Sequence, residues 1–241
     1  MTLSDSEKKR YFRQLSVWGW DQEKLKSAKV FIAGLGGLGS ASSFYLAAAG
    51  VGKLCICDGD RVERSDLNRQ ILYSESSLGK FKVEEAEKRL SSLNPTIVIE
   101  TVGDFFDDSN IGEILGGSNL IVDGLDNSES RFILNRQAIK KGIPYVYGAV
   151  QGWEGYVSLF YPPHTACLAC FMPQRTNRPD VIPVAGVLPG TIGLLQATEA
   201  IKFIMGVEMV LFNRLLIYDS RNLRFDFVDL EKNPDCSFCA A

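Results

Sequence analysis

Val30-Phe31-Ile32-Ala33-Gly34-Leu35-Gly36-Gly37-Leu38-Gly39, running on into the small-residue stretch from Ser40 to Ala49, reads as a buried strand, a turn made almost wholly of glycine, and a helix. Glycine suits such a turn twice over: the bend is tight, and a phosphate must approach close enough to touch backbone N–H groups. The following helix aims its partially positive N-terminus at the same spot. The next strand, Leu54-Cys55-Ile56-Cys57-Asp58, ends on an acid 22 positions after Gly36, where a carboxylate can accept the hydroxyls of a ribose. A glycine turn alone is a weak signal. Strand before, helix after and acid at this distance together point to a nucleotide, against the plainer alternative of a strand–helix turn with no ligand.

The 241 residues suit one large α/β domain, and 46% hydrophobic with 23% charged residues is the balance of a globular chain with a sizeable core. A formal net charge of −3 disfavours nucleic acid as the main partner. The polar N-terminus lacks the apolar run of a signal peptide and no later run approaches membrane-spanning length, so the expectation is a cytoplasmic protein without a membrane.

Working outward, residues 5–15 predict one short helix capped by Asp5 and carrying Arg10, Tyr11 and Arg13, with residues 24–28 leading into the first strand. After Asp58 comes a polar loop containing Asp60, Ser65, Asp66, Asn68, Arg69 and Gln70, at the carboxyl end of a strand, where open α/β sheets bind ligands. Residues 79–94 predict an amphipathic helix with Leu78, Phe81, Val83, Ala86 and Leu90 on its apolar stripe. Its first turn holds Lys80 and Lys82, cations unfavourable there unless an anion is present. Strands are expected over 96–102, 119–123 and 144–150, with Asn127 or Ser128 capping a helix over 129–141. This strand–helix rhythm predicts a parallel sheet. The rhythm then changes. Residues 155–161 follow without a helix and should add antiparallel; 171–189, with Pro173, Pro179, Pro183 and Pro189, reads as a long loop; 191–205 is a helix and 215–219 with 223–228 a closing hairpin.

Six cysteines outside an oxidising compartment are ligands or core rather than disulfides. Cys55 and Cys57 share one strand face and read as core. Cys167-Leu168-Ala169-Cys170 and Cys236-Ser237-Phe238-Cys239 are two CxxC pairs, 65 residues apart, and together complete a tetrahedron for Zn²⁺. A redox dithiol needs only one pair. Four thiolates leave no open position for water, so the zinc site is expected to be structural, with His164 a loop residue beside it.

These residues resemble the family of ubiquitin-activating-like adenylyltransferases, the MoeB, ThiF and HesA proteins. The likeness runs from Arg10-Tyr11-Phe12-Arg13-Gln14 to Cys239 and includes the glycine turn, Asp58-Gly59-Asp60, Asn68-Arg69-Gln70, Gly79-Lys80-Phe81-Lys82, Asp126-Asn127, Gln196 to Lys202 and both cysteine pairs. The resemblance implies a Rossmann-like, mainly parallel sheet with helices on both faces, extended by antiparallel C-terminal strands. It implies one adenylation domain over 1–241, with a nucleotide-binding core over about 25–150 and partner-binding strands, crossover loop and zinc tail over about 151–241. The implied reaction is attack by the C-terminal Gly-Gly carboxylate of a small ubiquitin-like sulfur carrier on the α-phosphate of ATP, giving acyl-adenylate and pyrophosphate. Gly34, Gly36, Gly37, Asp58, Asp60, Ser65, Asn68, Arg69, Gln70, Lys82, Asp126 and Asn127 are the implied nucleotide site. Within it Arg69 and Lys82 neutralise phosphates and Asp126 holds Mg²⁺. Arg13 is expected to reach the phosphates of a neighbouring subunit, which implies a homodimer. Some relatives carry a cysteine in the long loop that bonds covalently to the activated partner. Here Val181-Ile182-Pro183-Val184 stands there, with no cysteine between Cys170 and Cys236. The expectation is therefore adenylation only, with sulfur supplied by a separate donor protein and no appended sulfur-carrying domain. A dinucleotide oxidoreductase, a dehydratase acting on a tRNA base and a non-catalytic partner-binding subunit are the alternatives.

Overall fold

The computed structural model describes residues 2–172, 182–209 and 211–240; Pro173, Pro179 and Val181 of the long loop lie outside them. Its elements in order are α1 (Asp5–Arg10), α2 (Phe12–Leu15), α3 (Gln22–Ser27), β1 (Lys29–Ala33), α4 (Gly37–Ala49), β2 (Lys53–Cys57), α5 (Lys82–Leu93), β3 (Val98–Val102), α6 (Ile111–Ile114), β4 (Leu120–Asp123), α7 (Ser128–Lys141), β5 (Tyr145–Gln151), β6 (Glu154–Phe160), α8 (Leu168–Phe171), α9 (Leu188–Met205), β7 (Arg214–Asp219) and β8 (Arg224–Asp229). The strands form one sheet in the order β3-β2-β1-β4-β5-β6-β7-β8. The first five run parallel, and β6, β7 and β8 add antiparallel.

Strand alternation splits the core between the two faces. Val30 and Ile32 pack with residues of α4, α5 and α9, such as Leu46, Leu90 and Ile192. Phe31 and Ala33 point the other way, among Ile111, Leu134, Tyr145 and Leu168 from α6, α7, β5 and α8. Cys55 and Cys57 belong to this second layer, as core. Burial pushes the Cys57 thiol up to about 12, so it is no thiolate.

The glycine turn folds as its composition requires. Gly34 has φ +84°, and a Cβ there would lie 2.8 Å from the Gly124 carbonyl oxygen. At Gly39 a Cβ would lie 1.9 Å from the Gly34 carbonyl oxygen, so α4 can approach the turn only without a side chain there.

Several boundaries differ from expectation. Residues 5–15 form two helices, and the cap is Ser4 rather than Asp5, in a capping box with Glu7. Lys26, 2.8 Å from Glu7, and the Ser4 N–H hold the Glu7 carboxyl down at about 2, which pins α1 to α3. Residues 22–27 are a helix rather than a lead-in. Helix α5 starts at Lys82, not 79, and α9 at Leu188, so Pro189 belongs to a first helical turn and not to a loop. No helix among the described residues is long and apolar enough to cross a membrane.

Candidate active site

Strand order reverses between β1 and β4, and at the carboxyl ends of the strands there lies a cavity of about 830 Å³. Its wall contains Gly34, Gly36, Gly37, Asp58, Asp60, Ser65, Asn68, Arg69, Gln70, Lys82, Asp126 and Asn127. Every residue expected to hold nucleotide is thus brought to one place. Arg13 is not: it is exposed on α2 and lies outside the cavity wall.

Gly36 is the N-cap of α4 and no side chain caps that end, so the first N–H groups of the helix remain open to a ligand. Asp58 braces the same turn: its carboxylate accepts the N–H of Leu35 at 2.7 Å and that of Asp60 at 2.8 Å. Burial pushes the Asp58 carboxyl above its ordinary value, against the pull of Lys82 and of those two donors.

Lys82 is the first residue of α5, and carboxylates supply the anion its position demands. Its Nζ lies 3.2 Å from Asp60 and 3.8 Å from Asp66. Asp66, buried, is the hub of the loop. It also takes a hydrogen bond from the Gln70 amide at 2.7 Å and faces Arg69 at 3.5 Å. Arg69 folds over its own loop, donating to the Ser65 carbonyl at 2.7 Å and the Asn68 side chain at 3.0 Å. Gln70 Oε1 is buried without a hydrogen-bond partner among the described residues. Across the cavity, Asn127 Oδ1 accepts the Ser130 N–H at 2.9 Å and caps α7, with Asp126 immediately before it.

Asp66, Asp123 and Arg131 were not singled out by sequence. Asp66 sits three residues before Arg69, a spacing that a turn can close into a pair, but nothing in the pattern marks it as buried. Arg131 looks like any charge in a helix. In the fold it lines the cavity and reaches Asp123, at the end of β4, at 3.0 Å.

Away from this cavity the four expected cysteines converge. Sγ–Sγ separations are 3.9 Å for Cys167–Cys170, 3.7 Å for Cys167–Cys236 and 3.5 Å for Cys170–Cys239. A thiolate tetrahedron with Zn–S bonds of about 2.3 Å has edges of about 3.8 Å. All four atoms lie within 4.8 Å of one another, and His164 is not among them; its ring packs on Tyr161 at 4.9 Å. Helix α7 spans the distance between the two sites with a stripe at four-residue spacing. Asn127 caps it, Arg131 lines the cavity, Asn135 accepts the N–H of Leu168 inside the first CxxC, and Ile139 packs on the cysteines.

A family model described as the ThiF family matches residues 11–238. The chain belongs to the ThiF family. The matched span takes in Arg13, the whole cavity wall and three of the four clustered cysteines, with Cys239 one residue beyond. Among relatives, this ThiF-family chain is 38% identical to the molybdopterin-synthase adenylyltransferase of Escherichia coli, over 98% of each chain. It is 37% identical to the sulfur carrier protein adenylyltransferase of Thermus thermophilus, over 99% of this chain and 93% of that one. A crystal structure of Escherichia coli MccB with MccA-N7isoASN superposes with a TM-score of 0.85 at 24% identity, over 95% of this chain and 74% of that chain, a likeness of fold alone.

Proposed function

We propose that this chain adenylates the C-terminal Gly-Gly carboxylate of a small ubiquitin-like sulfur carrier, working as one adenylation domain in the cytoplasm. One observation carries the reading: the uncapped N-terminus of α4, the cations Arg69 and Lys82, and the carboxylate of Asp126 meet in a single cavity. The adenylyltransferase relatives favour a carrier protein over a tRNA base as the substrate.

In this reading a carboxylate oxygen of the carrier's last glycine bonds to the α-phosphorus of ATP while the bond to the pyrophosphate oxygen breaks. The chain's part is positioning and charge. N–H groups of the glycine turn hold phosphate oxygens, Asp58 accepts the ribose hydroxyls, and the orphan oxygen of Gln70 accepts a donor from the nucleotide. Arg69 and Lys82 exchange their present carboxylate partners for phosphate. The wall fits a divalent cation as well. Asp58, Asp60, Glu63, Asp104 and Asp126 outnumber Arg69, Lys82 and Arg131, so a polyanion entering alone meets an excess of like charge. Mg²⁺ takes hard oxygen ligands, and Asp126 with phosphate would hold it; bound there it neutralises charge developing on phosphate oxygens. The four thiolates would hold structural Zn²⁺.

Label exchange between pyrophosphate and ATP that starts only when a Gly-Gly-tailed carrier is added is the expected result. Its absence with every carrier in a panel contradicts the reading. With no loop cysteine, the activated carrier passes to a separate sulfur donor.

The reading further holds that the chain works as a homodimer in which Arg13 serves the partner's phosphates, which suits its exposure on α2 outside its own cavity. Arg13→Ala and Lys82→Ala proteins, each inactive, should regain a fraction of wild-type exchange when mixed, because one hybrid site is then intact. Unchanged exchange by the Arg13→Ala protein alone returns Arg13 to the solvated surface, and no recovery in a sample shown to exchange subunits overturns its service to the partner's phosphates.

A further inference from the structure

The short turn that presents Asp126 is gripped by a buried ion pair that the proposed chemistry does not use. Strand β4 ends on Asp123, which is fully buried. One carboxylate oxygen of Asp123 accepts the N–H of Leu125 at 2.8 Å; the other accepts the Tyr145 hydroxyl at 2.7 Å and Arg131 Nε at 3.0 Å. Arg131 completes the ring: its Nη2 donates to the carbonyl of Leu125 at 2.7 Å and to that of Gly148 at 2.8 Å. The two members of the pair therefore hold the two polar groups of Leu125, one each.

The Leu125 carbonyl lies in the peptide plane shared with Asp126. Because that plane is rigid, fixing the carbonyl fixes the direction in which the Asp126 backbone leaves it. Gly124 ties the turn back to β1 through its N–H to Ala33 at 2.7 Å, and the Asn127 cap fixes the far side. Asp126 stands between a clamped peptide and a capped helix. A buried ion pair is weak as a source of stability, since desolvation consumes most of its attraction. Its geometry, three directed bonds from one planar guanidinium, is strong as a positioning device.

We propose that Arg131 is a positioning residue that, with Asp123, sets the Asp126 carboxylate for the divalent cation bound with nucleotide. The inference rests on the assignment of Asp126 as the cation's ligand, and the experiment separates the two. Mn²⁺ is the probe. Its affinity is measured by electron paramagnetic resonance in full-length protein saturated with a non-hydrolysable ATP analogue, alongside Mg²⁺ dependence of pyrophosphate exchange. Groups that orient metal ligands typically contribute 10- to 100-fold to metal affinity. Arg131→Lys keeps the charge but cannot span Asp123 and two carbonyls. It should weaken Mn²⁺ binding by about that factor and raise the Mg²⁺ needed for half-maximal exchange, leaving the rate at saturating Mg²⁺ much less affected. Unchanged Mn²⁺ affinity and Mg²⁺ dependence, with only a lower melting temperature, overturn the proposal: the pair then merely fastens α7 to β5.

If Arg131→Lys does not fold, Tyr145→Phe carries the test, because it removes one donor from Asp123 and keeps the ring. A severalfold loss of Mn²⁺ affinity supports the proposal and an unchanged affinity overturns it. Wild-type protein that binds Mn²⁺ no better than Asp126→Ala defeats the assignment of Asp126, and the proposal with it. Wild-type protein that binds Mn²⁺ through Asp126, with Arg131→Lys its equal, defeats the positioning role alone.

Discussion

Lys82→Met is expected to lower carrier-dependent pyrophosphate exchange by about 10²–10³-fold at saturating ATP, the usual effect of deleting one preorganised charge facing a developing negative charge. Lys82 is the strongest candidate because its position is costly without a purpose. Its side chain is 8% exposed, and a cation at the first residue of α5 opposes the helix dipole. Asp60 and Asp66 offset that cost in the structure, and in the proposed reaction both would yield the ammonium to a phosphate. Met retains the apolar stem, so packing survives. The change leaves the buried Asp66 short of one partner, a penalty of about 1–3 kcal/mol, or a fall of about 2–4 °C in Tm per kcal/mol in a chain of this size. Rates measured well below the new Tm separate the chemical loss from the structural one. Lys82→Arg should keep more activity than Lys82→Met. Full exchange by the Met variant would remove Lys82 from the phosphates.

Extracting the metal from the cysteine cluster should have the largest effect on stability. Binding energy of structural zinc is about 10–16 kcal/mol in small modules, and an ion held by the four cysteines would fasten the C-terminal tail to the segment after β6. The sheet has its own two core layers, so the chain should not unfold outright. Chelation is expected to release one zinc per chain, free the tail around Cys236 and Cys239 to proteolysis, and lower Tm by about 10 °C or more. Asn135 holds the first CxxC from α7, so loss of metal loosens the outer end of the helix whose inner end caps the Asp126 turn. Protein that yields no zinc, and whose Tm is indifferent to a chelator, contradicts the assignment.

The two-part sheet was legible because its causes are local: apolar strands, glycine turns, helical stripes, and a missing helix before β6. Where sequence reading failed, a distant partner decided. Residues 79–81 continue the helical pattern of α5, yet Gly79 N–H bonds to the Val62 carbonyl, the Lys80 carbonyl accepts from Val62, and Lys82 N–H bonds to Asp60. Pairing with the Asp60 loop takes those residues out of the helix and delivers Lys82 to the cavity. Residues 5–15 break at Tyr11 because its ring is buried and its hydroxyl meets Asn94 at 2.8 Å. Proline at 189 looks like a loop breaker, but in a first helical turn its missing N–H costs nothing. Most cavity residues were legible because they lie in loops after strands or at the helix ends beside them, where packing constrains side-chain type least. Asp66, Asp123 and Arg131 were not, since each matters through a partner far along the chain or through burial that a charged residue does not advertise.

Transfer of label from ATP to a Gly-Gly-tailed carrier tests the central claim most directly. Wild-type protein with Mg²⁺ should place label on the carrier from ATP labelled at the α-phosphate and none from ATP labelled at the γ-phosphate, and a carrier whose terminal carboxylate is amidated should receive neither. Label arriving from the γ-phosphate, or α-label reaching the amidated carrier equally well, would contradict it.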